Sequence, residues 1–219
     1  PRTAGGQPDY EHLQALDVAL FNRHLLRLLA GREIQLPHFN FQKKRRQWRG
    51  TRLAIGADQV LIVEGIHALN PRFTSQIPEE HKFRIYISAL TQLNIDAHNR
   101  ISTTDNRLMR RLVRDYTYRG NSALATLRMW PVVRAGEKKW IFPFQKRADA
   151  TFNSALDYEL AVLKPIIEPL LLEIKPTDRE YAETRRLQAF LSNFLAVPAT
   201  AVPENSILRE FIGASAFQY

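Results

Sequence analysis

Arg107, Arg110, Arg111 and Arg114 recur at i, i+3, i+4 and i+7, the spacing that lines residues up along one face of an α-helix. Guanidinium groups stay charged at physiological pH and offer paired donors. Crowding them is electrostatically costly unless an anion, typically phosphate, sits among them. Leu108, Leu112 and Tyr116 fall towards another face and anchor the helix. The competing reading is a solvated basic face with Asp105 and Asp115 as local partners.

Two further groups carry weaker signals. Glu64 follows the β-branched run Val60-Leu61-Ile62-Val63 and precedes Gly65. In parallel α/β sheets, ligands bind beyond the carboxyl ends of strands, where a carboxylate can meet a metal ion or a phosphate-bound water. A strand-end glutamate is more often a surface residue. Phe39 and Phe41 lie beside Lys43 and Lys44, and Tyr10 and Glu11 precede them. Aromatic faces stack on planar bases and carboxylates accept from sugar hydroxyls, so this set suits a nucleoside; the phenylalanines suit a strand core equally well.

The elements that must position these residues read as follows. Asp17 caps an amphipathic helix that closes at Gly31. Ile34 to Phe41, running into the basic stretch from Lys43 to Arg52, reads as a strand or hairpin with an exposed basic tip. Gln59–Ile66 and Phe83–Ile87 read as short apolar strands, Asp105–Arg119 as a helix, and Ala155–Leu172 as a helical region interrupted by Pro165 and Pro169. Apolar strands separated by helices predict an α/β fold with a parallel sheet covered on both faces. After Lys175-Pro176 the character changes, so the expected organisation is a domain over 1–175 and a helical extension over 176–219. Leu187, Phe190, Leu191, Phe194 and Leu195 of that extension suit either a partner chain or the domain's own core.

Composition narrows the class. The 219 residues suffice for a sizeable core, and no run approaches the roughly 18 apolar residues of a membrane span. The chain has no cysteine, so it has neither disulfides nor thiolate metal sites, and this fits a cytoplasmic protein. The excess of 31 Lys and Arg over 22 Asp and Glu favours an anionic partner. None of the nine glycines precedes lysine, so the chain holds no G-x-x-x-x-G-K-[ST] loop. The histidines lack metal-ligand spacing and no G-x-S-x-G elbow occurs.

Taken in order, Y-E-H-L-Q-A-L-D (10–17), L-P-H-F-N-F (36–41), V-L-I-V-E-G-I-H-A-L (60–69), D-N-R-L-M-R-R-L-V-R-D-Y-T-Y-R-G (105–120) and K-R-A-D-A (146–150) resemble the uridine kinase and phosphoribulokinase family. The resemblance covers about residues 8–160, and the arginine segment, similar to that family's lid, is its most specific part. It implies a P-loop α/β kinase fold, with Mg²⁺, that moves the γ-phosphate of ATP or GTP to a hydroxyl.

By the same resemblance, Glu11 falls on a ribose-binding position beside Tyr10, and Phe39 and Phe41 fall around the base. Glu64 falls near metal and phosphates, and Arg111, Arg114 and Arg119 fall on phosphate-contacting positions. Arg107, Arg110 and Asp157 are candidates for the nucleotide. Three departures alter the acceptor site: a base-recognising histidine aligns with Lys44, a lid arginine with Asn121, and a glutamine with Met129. The family's P-loop and acceptor-activating aspartate precede the segment matched by Tyr10, so the expectation is a piece of a longer polypeptide. The expected partners are a nucleotide, a small hydroxyl-bearing acceptor and further copies of the chain. The alternative is a nucleic-acid-binding or regulatory module that uses the basic hairpin and the arginine helix.

Overall fold

The computed structural model describes residues 1–2, 6, 9–40 and 45–217; Phe41 and Lys44 lie outside them. The chain divides into two compact units, one of residues 1–86 and 135–150 and the other of residues 87–134 and 151–219. Among the described residues no helix is long and apolar enough to cross a membrane.

The first unit opens with α1 (Val18–Leu29). The Asp17 carboxylate caps it by accepting from the Leu20 N–H at 2.9 Å, and Leu20, Leu25 and Leu28 form its buried stripe. Asn22, also buried, ties this helix to the loop beyond it: its side-chain amide donates to the Phe73 carbonyl and its oxygen accepts from the Gln76 N–H. Strands β1 (Ile34–Asn40) and β2 (Arg45–Leu53) pair antiparallel, as the hairpin reading predicts. A bulge falls between Gln35 and Pro37, where the register slips by two residues on β2.

The run Val60–Val63 departs from its expected strand. It takes no strand conformation, and Val60 and Ile62 are 88% and 86% exposed. β-branched apolar residues adopt the pleat when neighbours take their backbone groups and a layer covers their side chains. This segment has no strand partner among the described residues, so Glu64 sits in an exposed irregular segment rather than at a strand end.

The α/β character rests on β3 (Ile85–Ser88) and β4 (Ala150–Asn153), which form a second two-stranded sheet. The N–H of Ala150 donates to Arg84 and that of Ser154 to Ser88; the partners advance in the same sense, as in a parallel pair. Ile85, Ile87 and Phe152 remain at least half exposed, so the cover expected on both faces is incomplete among the described residues.

The second unit holds the principal core. Helix α2 (Thr103–Arg119) contributes Leu108, Met109, Leu112 and Val113, and the part of α3 (Ala123–Trp140) lying in this unit adds Ala123 and Leu127. Helix α4 (Glu159–Leu172) is apolar nearly all round and buries Val162, Leu163, Ile167 and Leu171; Pro165 and Pro169 lie inside it without ending it. Helix α5 (Tyr181–Leu191) adds Leu187 and Leu191, and α6 (Arg209–Ile212) adds Phe211. Residues from 176 onward thus cover their own unit's core, while Leu195 stays 88% exposed. Each fully buried aliphatic side chain contributes about 1.5–3 kcal/mol.

A polar knot fastens this core. Glu159, 1% exposed, accepts from Asn106 at 2.7 Å, from the Leu156 N–H at 3.0 Å and from Arg110 Nε. Arg110 also donates to the side chain and carbonyl of Ser154. A buried ion pair stripped of one partner leaves an uncompensated charge. Glu159→Ala is therefore expected to lower unfolding free energy by about 3–5 kcal/mol, read as a fall in the urea midpoint; an unchanged midpoint contradicts the assignment.

Candidate functional site

In the second unit, the winding of α2 decides what each arginine does. With Leu108, Met109, Leu112 and Val113 turned inward, Arg107, Arg111 and Arg114 lie on the half-buried flank, and Arg110 falls at the edge of the core. Arg110 is accordingly engaged by Glu159 and Ser154, and its guanidinium lies 5.3 Å from the Phe211 ring centroid.

Asp115, fully buried, holds two of the remaining arginines. It accepts from Arg111 Nε at 3.1 Å and from Arg119 Nη1 at 2.9 Å, one turn to either side, and from the Thr126 hydroxyl at 3.3 Å. Gly120 closes α2 in the left-handed conformation, and the N–H groups of Gly120 and Asn121 both donate to the Asp115 carbonyl. Asn121 therefore stands at the helix end, and Met129 lies partly exposed on α3.

Arg114 is less well compensated than Arg110, Arg111 or Arg119. Its side chain is 33% exposed, its Nε is buried, and its one ion pair among the described residues, from Nη1 to Glu210, is long at 3.7 Å. Burial lowers its pKa, and the charge of Arg119 lowers it further. A partly buried cation with a long, weak ion pair, flanked by Arg111 and Arg119, suits an arriving phosphate oxyanion. Asp157 is exposed just before α4, whereas Asp149, in the first unit, accepts from the Arg84 N–H at 2.6 Å and so serves strand pairing.

In the first unit, Tyr10 is 66% exposed in a turn, and the Glu11 N–H donates to Asp9 at 3.1 Å. The Glu11 side chain lies against Gly136 of α3 so closely that a Cβ there would come within 3.1 Å of it. Phe39 is 47% exposed on β1, opposite Arg46. Sequence reasoning passed over the residues around Glu11. Trp140 stacks edge-on with His12 at 4.8 Å and His67 at 5.4 Å between ring centroids, and Gly136 leaves room for the carboxylate. The E-G-I-H stretch was the available signal for His67.

Among the described residues no group of three or more His, Asp or Glu side chains could hold a metal ion. Glu64, the expected metal-side carboxylate, is exposed. Mg²⁺ bound through substrate phosphates needs only one or two protein carboxylates, so a lone Glu64 is compatible with it.

The chain belongs to the phosphoribulokinase/uridine kinase family, whose model matches residues 2–161. It is 30% identical to the uridine kinase of Proteus mirabilis over 142 residues, 64% of this chain and 58% of that protein. To the uridine kinase of Halobacterium salinarum it is 25% identical over 142 residues, 64% of this chain and 55% of the relative. To that of Clostridium perfringens it is 27% identical over 166 residues, 73% and 71% of the two chains. The chain thus spans little more than half the length of the first two.

His67 supplies a check on the first unit. It is 3% exposed, and burial lowers its pKa from the ordinary 6.5, with the Glu11 backbone opposing in part. The folded state therefore keeps the imidazole neutral at pH values where the unfolded chain takes a proton. Stability is full above about pH 6.5 and falls below it, by at most about 1.4 kcal/mol per pH unit for one proton. His67→Phe is expected to flatten part of the decline in melting temperature between pH 7.5 and 5.5, His24, whose pKa is also lowered, retaining the rest; an unaltered slope contradicts it.

Proposed function

We propose that this chain is the acceptor-binding and lid portion of a nucleoside kinase that moves the γ-phosphate of ATP or GTP to a hydroxyl of a nucleoside or similar small molecule in the cytoplasm. The observation that carries the reading is the state of Arg114, a partly buried guanidinium whose ion pair among the described residues is a single long one, from Nη1 to Glu210. Such a group is poised for charge that develops on a transferring phosphoryl group. Phosphoryl transfer depends mainly on positioning and electrostatic stabilisation, and donors fixed beforehand cost no reorganisation when the charge appears.

In this reading Asp115 keeps Arg111 and Arg119 extended towards the phosphates, and Arg107 adds charge to the same face. Glu11 accepts from sugar hydroxyls, its side chain set by Gly136, and Tyr10 and Phe39 offer aromatic faces to a planar base. Lys44, where the family has a base-recognising histidine, alters which base is accepted, because a polar site rejects a ligand that leaves a partner unpaired. Uridine is the default acceptor. Mg²⁺ bound to the nucleotide would neutralise part of the phosphate charge, and Glu64 is the carboxylate that the family resemblance assigns to it. Arg110 acts through the core, since its donors are committed to Glu159 and Ser154.

The test is Mg²⁺-dependent ATP turnover by the longest natural form of the protein against a panel of nucleosides and small polyols. Arg114→Ala is expected to lower kcat about 100-fold while moving the melting temperature little. A panel with no accepted hydroxyl, or an Arg114→Ala enzyme that turns over normally, overturns the reading.

A further inference from the structure

Beyond the residues that match the family, the chain returns to the arginine helix. Arg209, 8% exposed, ties this return down: its guanidinium donates to the carbonyls of Ala199 at 3.1 Å, Pro203 at 3.4 Å and Gly213 at 3.3 Å, and to that of Val202. Leu208 and Phe211 enter the core on either side of it. A buried cation that donates to four backbone carbonyls fixes the path of its segment, and the residue so placed is Glu210. Its carboxylate lies 3.7 Å from Arg114 Nη1, with 41% of the side chain exposed.

The backbone just after α6 is conformationally unusual. Gly213 has φ 82° and Ala214 φ 53°, the latter the one positive-φ residue other than glycine among the described residues. A Cβ at Gly213 would stand 3.6 Å from the Tyr118 hydroxyl. Strain of this kind persists where surrounding contacts over-determine it, and it gathers at ligand clamps and switch segments. Here the contacts of Leu208, Arg209 and Phe211 outweigh it and keep the tail against α2.

We propose that Glu210 is the displaceable counter-ion of Arg114: it holds the guanidinium in place until a phosphate group of the ligand takes its donors. The inference rests on the kinase reading for the identity of that ligand. Three features support it. The ion pair is long and open to water, so it is weak. The buried Nε turns away from solvent, leaving the Nη donors to be contested by Glu210 and an incoming oxyanion. Asp115, the other acid near Arg114, is already committed to Arg111 and Arg119. Glu210 is thus a positioning residue that competes with the ligand for one donor group, and binding at Arg114 must weaken the Glu210 contact by as much as that contact opposes binding.

The experiment titrates the longest natural form of the protein with inorganic pyrophosphate, in parallel with MgATP kinetics, for the parent, Glu210→Gln, Glu210→Asp, Arg114→Ala and the double variant Arg114→Ala/Glu210→Gln. Glu210→Gln is expected to bind pyrophosphate about fivefold more tightly, Glu210→Asp to stay near the parent, and the gain to vanish in the Arg114→Ala background. A merely structural tail would shift melting temperature without that dependence on Arg114. If Glu210→Gln fails to fold, Glu210→Ala replaces it. Unchanged or weaker pyrophosphate binding by the neutral variant, or an equal gain with Arg114 absent, overturns the proposal. Absent MgATP turnover alongside the expected pyrophosphate pattern sinks the kinase reading and leaves the counter-ion role standing.

Discussion

The pairing of Glu159 with Arg110 is the constraint on which the second unit depends. Helix α2 must place Leu108, Met109, Leu112 and Val113 in the core while carrying arginines at a spacing that reaches the boundary of that core. A guanidinium at the boundary is tolerable only with a carboxylate in place, and Glu159 at the start of α4 supplies it. Docking α4 in that position then sets the surface on which α5 packs, while α6 packs on α2 itself. Arg186 of α5 strengthens this arrangement through a two-point contact with Asp105 of α2, at 2.8 and 2.9 Å.

The arginine row therefore divides by task. Arg110 serves folding, Arg111 and Arg119 are oriented by Asp115, and Arg114 is left with incomplete compensation. A helical face of guanidinium groups looks uniform in sequence; the structure makes it graded, because Arg110 meets Glu159, Arg111 and Arg119 share Asp115, and Arg114 meets Glu210 only at 3.7 Å. That gradation explains how one helix can stabilise a core and still present cationic groups outward.

Much of this was legible before any coordinates. The Asp17 cap and Gly31 frame α1 because local chemistry suffices to start and stop a helix, and the alternation around Phe39 led to the hairpin for the same reason. The periodicity of Arg107 to Arg114 located α2. What sequence reasoning missed depends on contacts between elements. Glu159 and Asp115 look like ordinary surface acids until α2, α3 and α4 are packed. Pro131 and Gly136 obscured the length of α3, and the four exposed residues of β4 have no pattern of burial to detect. Val60 to Val63 has the composition of a strand, yet hydrogen bonding between segments decides that conformation, and composition says nothing of the neighbour.

Asp115 has a mechanical consequence. Its carboxylate yokes guanidinium groups one turn before and one turn after it, its backbone carbonyl receives the first two N–H groups of the following turn, and Thr126 on α3 reaches the same side chain. Both helices of this elbow are thus geared to one residue. A change in the angle between α2 and α3 cannot leave the two arginines behind; their reach shifts together, as the two ends of a crossbar follow its pivot.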